Sequence, residues 1–381
     1  MTRGKAHPEG NCWDLSTFEQ TGLAALWRSD EHWTMESAPP ALILASRRRA
    51  LTGSSRGLSR AYVRGELVRV RTGVYYSKPA WLALKAWERY AATVAAVAES
   101  DPAVGFCYLT ALRVWELPSF RVPEHIHILT PSPHKAGKLP PTTRAARDPK
   151  TGRTGLEDVR GYGLSRHHWQ SDVVGTRGFG VTPLVQTVMD CVVRLELPES
   201  VAIMDAALGN RHKEGESLTR VDVQQAAASL ASAAKRRRIL EVLELADAAS
   251  ESAGESRSRA LIHVLGLPAP VLQHSFYDHE GFIARTDFFW PDYGVIGEFD
   301  GDAKYLDDEL LGGRSTRAII LAEKKREDRL RALGYRVVRW DWKAITDPDL
   351  LRRKLEGAGV TTQESPPRGL IPLALPGEWT T

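Results

Sequence analysis

Cysteine is nearly absent from this chain. Its three thiols, Cys12, Cys107 and Cys191, are scattered through 381 residues with no Cys-x-x-Cys pair and no suitably spaced histidines. That excludes a disulfide framework and argues against a thiolate zinc site. Long apolar runs are missing too. No stretch approaches the roughly 18 apolar residues that a spanning helix needs, so no membrane span is expected. Met1 to Trp13 are polar and lack an apolar core, so no signal peptide is expected and the cytoplasm is the expected compartment. Nor does one sign of charge dominate. The 51 Lys and Arg residues against 47 Asp and Glu leave a net charge of +4, so any nucleic-acid surface has to be local.

What remains is an ordinary soluble composition, 43% hydrophobic and 26% charged, with length for two or three domains. The most informative stretch lies near the C-terminus. Arg285-Thr286-Asp287-Phe288-Phe289-Trp290 and Val295-Ile296-Gly297-Glu298-Phe299-Asp300 flank Pro291-Asp292-Tyr293-Gly294. Two aromatic and β-branched runs around a Pro/Asp/Gly turn predict a β-hairpin. With the turn centred on Asp292 and Tyr293, residues whose numbers sum to 585 face each other. Asp287 then faces Glu298, and Arg285 faces Asp300. Glu298 and Asp300 share a strand face by the two-residue period. Opposed like charges weaken a sheet. Two carboxylates held together therefore need a divalent cation, a shared proton or a nearby base, and a metal is the most economical of the three. Asp300 has a second reading as an ion-pair partner of Arg285, and Glu255 as a first-turn glutamate favoured by its helix dipole.

These residues resemble the PD-(D/E)XK nuclease superfamily, in particular the small Vsr-like domains at the ends of many actinobacterial proteins. Glu255-Ser256-Arg257-Ser258-Arg259 stands where that family has its leading glutamate helix. Val271-Leu272-Gln273 opens the first strand, Glu298-Phe299-Asp300-Gly301 matches the acidic strand end, and Lys324-Lys325-Arg326 leads through Gly334 into Tyr335 to Trp340. The resemblance covers roughly 250–356 and implies Mg²⁺ or Mn²⁺ ligated by Asp287 and Glu298, with Glu255 in support. Asp300 occupies the position where the superfamily normally has its lysine; Lys304, in the following loop, is the candidate substitute. The basic helix Arg314 to Leu333 is expected to flank this site, with Lys324 among its DNA-contacting residues.

A second pattern lies nearer the N-terminus. Ala41 to Leu51 is helix-like, Ser54, Ser55 and Gly57 mark a turn, and Leu58 to Arg64 forms a second helix. Leu67-Val68-Arg69-Val70-Arg71, Thr72-Gly73 and Val74-Tyr75-Tyr76 then give a hairpin. This order resembles the winged helix of AbiEi-type (type IV) antitoxins, with Gly65 to Tyr75 matching its hairpin run. Nine basic residues against the single acid Glu66 between Ala41 and Lys78 suggest a phosphate-contacting face. Ser59, Arg60 and Arg64 would lie on the recognition helix, and Arg69 and Arg71 on the wing. A cognate toxin or defence partner is the further expectation from this resemblance. Relatives usually begin the next short helix with Ser-His, whereas this chain has Cys107-Tyr108.

His125 and His127 share the face of a predicted strand, but no acid or cysteine is spaced to complete a metal site with them. Thr182 is the expected N-cap of a helix with Pro183 at its first position. Asp190, Asp205 and Asp247 are expected in caps or salt bridges. The chain is thus expected to be mixed α/β. A partly disordered leader (1–40) precedes a winged helix (41–78) and an α/β region (79–180) with a basic loop at 131–160. A helical region (181–249), a nuclease-like domain with a mixed central sheet (250–356) and a disordered tail (357–381) follow. The expected activity is metal-dependent DNA hydrolysis; the alternative is a non-enzymatic regulator on a degenerate nuclease fold.

Overall fold

The computed structural model describes residues 42–145, 159–169, 171–211, 217–301 and 316–361. The expected leader, Lys304, the middle of the basic loop and most of the tail lie outside them. The described residues form a mixed α/β structure of thirteen α-helices and four small sheets. Among them no helix is long and apolar enough to cross a membrane.

The chain opens with β1 (Ile43–Leu44), α1 (Ala45–Thr52), α2 (Arg56–Val63), β2 (Leu67–Arg71) and β3 (Val74–Ser77). Helix, turn, helix and hairpin follow as expected. The first helix starts later than Ala41 because Ile43 and Leu44 pair with Tyr75 and Val74 instead. Next come α3 (Lys78–Ala83), α4 (Ala86–Ser100), α5 (Tyr108–Val114), β4 (His125–Leu129), β5 (Gly137–Leu139) and β6 (Arg144–Ala145). The alternating apolar face of the hairpin, Val68, Val70, Val74 and Tyr76, is buried with Trp81 of α3 and Ala92 and Ala96 of α4. The stretch from residue 131, expected to be loop, contains both β5 and β6. Strands this short leave little period-2 signal, and each adds to the edge of a sheet that is already formed.

Then follow β7 (Gly163–His167), β8 (Val174–Thr176), β9 (Phe179–Val181), α6 (Leu184–Val192), α7 (Leu197–Leu208), α8 (Arg220–Ala228) and α9 (Ala233–Leu245). Thr182 does not cap α6: its hydroxyl pairs with that of Thr187 at 2.7 Å, and Pro183 takes the N-cap position. The C-terminal part comprises α10 (Ala253–Val264), β10 (Val271–Asp278), β11 (Gly281–Trp290), β12 (Val295–Phe299), α11 (Thr316–Ala332), β13 (Arg336–Trp340), α12 (Trp342–Thr346) and α13 (Pro348–Gly357). Its sheet runs β10-β11-β12-β13, antiparallel except for the parallel β12–β13 pair. Helix, strand, hairpin, helix and strand is the element order expected over 250–356, and the last strand pairs parallel to β12.

Helix α10 ties this sheet to the helices before it. Ala260 belongs to the core shared with α6, α7 and α9, while Leu261 and Ile262 pack with Phe288, Trp290 and Trp340. Arg259 reaches the fully buried Asp205 of α7 at 2.7 Å, and Trp340 Nε1 donates to Ser258 Oγ at 2.8 Å. Breaking a buried pair of this kind costs roughly 3–5 kcal/mol. Asp205 thus makes one of the salt bridges expected and also accepts the backbone N–H of Asp247 at 2.8 Å, while the Asp247 carboxylate accepts the backbone N–H of Ala249 at 2.9 Å.

Candidate functional site

The hairpin has the expected register. Phe288 pairs with Gly297, Phe289 with Ile296 and Trp290 with Val295, around a 3₁₀ turn at Pro291–Tyr293 that Gly294 closes at φ +58°. One position further out the ladder stops. There Asp287 Oδ2 accepts the backbone N–H of Phe299 at 2.9 Å. Asp300 N instead donates to Trp340 O at 2.8 Å, so the end of β12 follows β13 and leaves β11. The expected Arg285–Asp300 pair does not form for that reason. Arg285 bonds Glu251 at 2.5 Å, and Asp300 bonds Arg339 at 3.1 Å.

Glu298 sits at the centre, 7% exposed. Burial raises its carboxyl above the usual range; Arg326 and Arg339 oppose the shift, and Asp287 and Asp300 add to it. The structure thus brings Asp287 and Asp300 each within electrostatic reach of Glu298. The closest compensating group is a base. Arg339 lies opposite Glu298 in the β12–β13 register and reaches Glu298 at 2.7 Å, Glu323 at 2.6 Å, Asp300 at 3.1 Å and Glu327 at 3.5 Å. Burial lowers the Arg339 pKa, but the carboxylates outweigh it and the net shift is upward. Arg326 of α11 stands 3.4 Å from Glu298. Arg326, Glu323 and Glu327 lie on the charged helix that was expected to flank the site, whereas Arg339 was not among the expected site residues; its one legible signal is a basic residue set inside the largely hydrophobic strand Arg336–Trp340.

Glu255 belongs to a neighbouring network. It is 8% exposed, and its Oε2 accepts from Gln273 Nε2 at 3.0 Å and from the backbone of Glu251 at 2.8 Å. Gln273 makes this bond from φ +51°, a conformation that costs a non-glycine residue roughly 1–3 kcal/mol. The helix bearing Glu255 approaches β12 closely because Gly254 has no side chain: a Cβ there would come within 2.0 Å of the Phe299 ring. Lys324 is exposed on α11, next in sequence to Glu323. Lys304 lies outside the described residues.

Hard carboxylate oxygens suit Mg²⁺, which is commonly held by one or two carboxylates together with waters and substrate phosphate. Asp287 and Glu298 meet that minimum in donor type and number, provided Glu298 is released from Arg339. Among the described residues no group of three or more His, Cys, Asp or Glu side chains is set to hold a metal.

In the N-terminal helix–turn–helix–hairpin segment, Ser59 and Arg60 are exposed on α2. Arg64 is paired with Glu66 at 2.5 Å, while Arg69 lies 5.5 Å over the Tyr62 ring. Arg71 is partly buried, and desolvation together with Arg166 lowers its pKa. In the α/β region, Cys107 is buried at the N-cap of α5, and Tyr108 follows at φ +50° against the ring of His127.

No family model matches the chain. It is 31% identical over 155 residues to two uncharacterised Mycobacterium tuberculosis proteins, MT2308 of strain CDC 1551 / Oshkosh and Rv2248 of strain ATCC 25618 / H37Rv. The match covers 40% of this chain and 51% of each relative, so the chain spans about half the length of the curated relatives it matches. The crystal structure of the M. tuberculosis protein RV2827C aligns over 63% of this chain and 85% of its own, at 12% identity and a TM-score of 0.33. No shared fold follows from that level of likeness.

Proposed function

We propose that this is a DNA-interacting protein with a Mg²⁺- or Mn²⁺-dependent phosphodiester-cleaving centre on Asp287 and Glu298, and a winged helix that holds duplex DNA. The observation that carries the reading is the buried Glu298 on β12, beside Asp287 across the hairpin and Asp300 at the strand end. A sheet gains nothing from gathering carboxylates in this way. Asp287 and Glu298 would hold the divalent ion, which when bound would supply polarisation of the phosphate and a lowered pKa for a coordinated water. Arg326 and Arg339 then supply positive charge beside the phosphate, where it opposes the charge that develops during cleavage. Ser59, Arg60, Arg64, Arg69, Arg71 and Lys324 are the proposed DNA contacts.

One observation favours a second reading. The 2.7 Å bond from Arg339 already satisfies Glu298 without a metal, as in a regulator that keeps the fold without the chemistry. In that reading the winged helix acts at an operator, and a cognate toxin or defence protein is the partner. The experiment is cleavage of plasmid and single-stranded DNA in Mg²⁺ and in Mn²⁺, with Asp287→Ala and Glu298→Ala alongside. Cleavage lost in both variants supports the enzyme. An inactive wild type that binds duplex DNA supports the regulator.

A further inference from the structure

The outer edge of the wing carries an arrangement that the winged-helix pattern does not call for. β6 joins the sheet beside β2 and sets Arg144 directly opposite Arg69, with Ala145 opposite Val68. Directly opposed residues of an antiparallel pair point to the same face. The Val68 and Val70 face is buried against α3 and α4. Arg69 and Arg144 therefore share the other face, where Arg69 lies over Tyr62 of α2. The segment leading into β6 is pinned by Thr142 Oγ1, which donates to Val70 O at 3.1 Å.

Two residues along β2, past a register shift, Arg71 is in electrostatic contact with Arg166 of β7. A shift of this kind re-aims side chains and increases the local twist. Arg69 and Arg144 thus form a like-charged pair on this edge, and Arg71 forms a second with Arg166 of the neighbouring sheet. The nearest acid in sequence, Glu66, is engaged by Arg64 at 2.5 Å. Among the described residues none of the four guanidiniums makes an ion pair with a carboxylate.

Like charges placed directly opposite weaken a sheet, and among the described residues no carboxylate offsets the Arg69–Arg144 pair. A row of anions would. Arginine forks match phosphate oxygens two at a time. The edge adjoins the helix proposed to lie on duplex DNA, so the anion that fits is the phosphate backbone of that duplex.

We infer that Arg69 with Arg144, and Arg71 with Arg166, form a backbone-phosphate clamp that extends the wing beyond its hairpin. The inference rests on the duplex-binding reading of the winged helix and is independent of the nuclease reading. A phosphate clamp reads no base, so it adds affinity and salt dependence equally on every sequence.

The test uses the full chain and a labelled duplex, with anisotropy followed over a salt series. The wild type is compared with the Arg144→Ala/Arg166→Ala variant, the corresponding double lysine variant, and Arg60→Ala. The double alanine variant should weaken binding to unrelated duplexes alike. Its log–log salt slope should fall by about 2, at about 0.9 for each phosphate no longer neutralised. The lysine variant should keep the slope. Weaker binding at an unchanged slope would mean a structural role for these residues and overturn the clamp. Loss of binding in Arg60→Ala with the double alanine variant unaffected would also overturn it, while leaving duplex binding by α2 intact. A wild type that binds no duplex would overturn both.

Discussion

Replacing Arg339 with methionine removes the one guanidinium shared by Glu298, Asp300, Glu323 and Glu327. Stranding one partner of a fully buried pair costs roughly 3–5 kcal/mol. Here the Arg339 side chain is 24% exposed and that of Asp300 33%, and exposed pairs are worth under about 1 kcal/mol each. The loss at neutral pH should therefore be about 2–3 kcal/mol, nearly all of it through Glu298. Urea unfolding measures it. The deficit should also depend on pH. The folded-state pKa of Glu298 already lies above its ordinary 4.5, and Arg339 is one of the groups holding it down. Without Arg339 it rises further. A carboxyl whose folded pKa is raised contributes stability that is present below the unfolded value and lost as pH rises through the folded value. The variant should accordingly recover toward wild type as pH falls from neutral toward 4.5. Glu298→Gln added to Arg339→Met should restore most of the loss at neutral pH. A deficit below about 0.5 kcal/mol, the range of ordinary surface changes, or one equal at every pH, would refute the claim that Arg339 compensates a buried carboxylate.

Three further outcomes follow from the geometry. Gly254→Ala drives a Cβ to within 2.0 Å of the Phe299 ring; overpacking should cost about 1–3 kcal/mol in thermal unfolding, with partial recovery when Phe299→Leu is added. Glu66→Ala frees Arg64 from its 2.5 Å partner, so duplex binding should tighten and its salt slope steepen by about 1 in an anisotropy titration. The third concerns His127 and His167, whose ring nitrogens stand 2.8 Å apart and whose pKa values, mainly through burial, fall to about 3 and about 4. The unfolded chain takes up these protons first, so stability is lost as pH falls from 6.5 toward those values. Imidazole NMR should show neither ring titrating above about pH 5; a midpoint near the ordinary histidine value of about 6.5 would contradict the half-buried neutral pair.

The hairpin was legible because its register follows from local chemistry: a Pro-Asp-Tyr-Gly turn and two runs of fixed length leave one pairing. The acidic positions Asp287 and Glu298 came with it. What stands against Glu298 did not, because β12 and β13 are joined by a crossover through α11, and no local rule aligns Glu298 with Arg339. The Arg285–Asp300 pairing failed at the point where local rules end. Asp287 takes up the Phe299 N–H, and Asp300 leaves the hairpin for Trp340. The N-terminal helices and hairpin were legible from their turns and alternation. Arg144 and Arg166 were not, since β6 is two residues long and reaches β2 from far along the chain.

Asp287 and Glu298 together are proposed to hold a divalent cation. Titration of Mn²⁺ into the full chain, followed by electron paramagnetic resonance of the free ion, tests this directly. The account predicts a bound Mn²⁺ that disappears in both Asp287→Ala and Glu298→Ala. A wild type that leaves all Mn²⁺ free, or variants that bind as the wild type does, would contradict it.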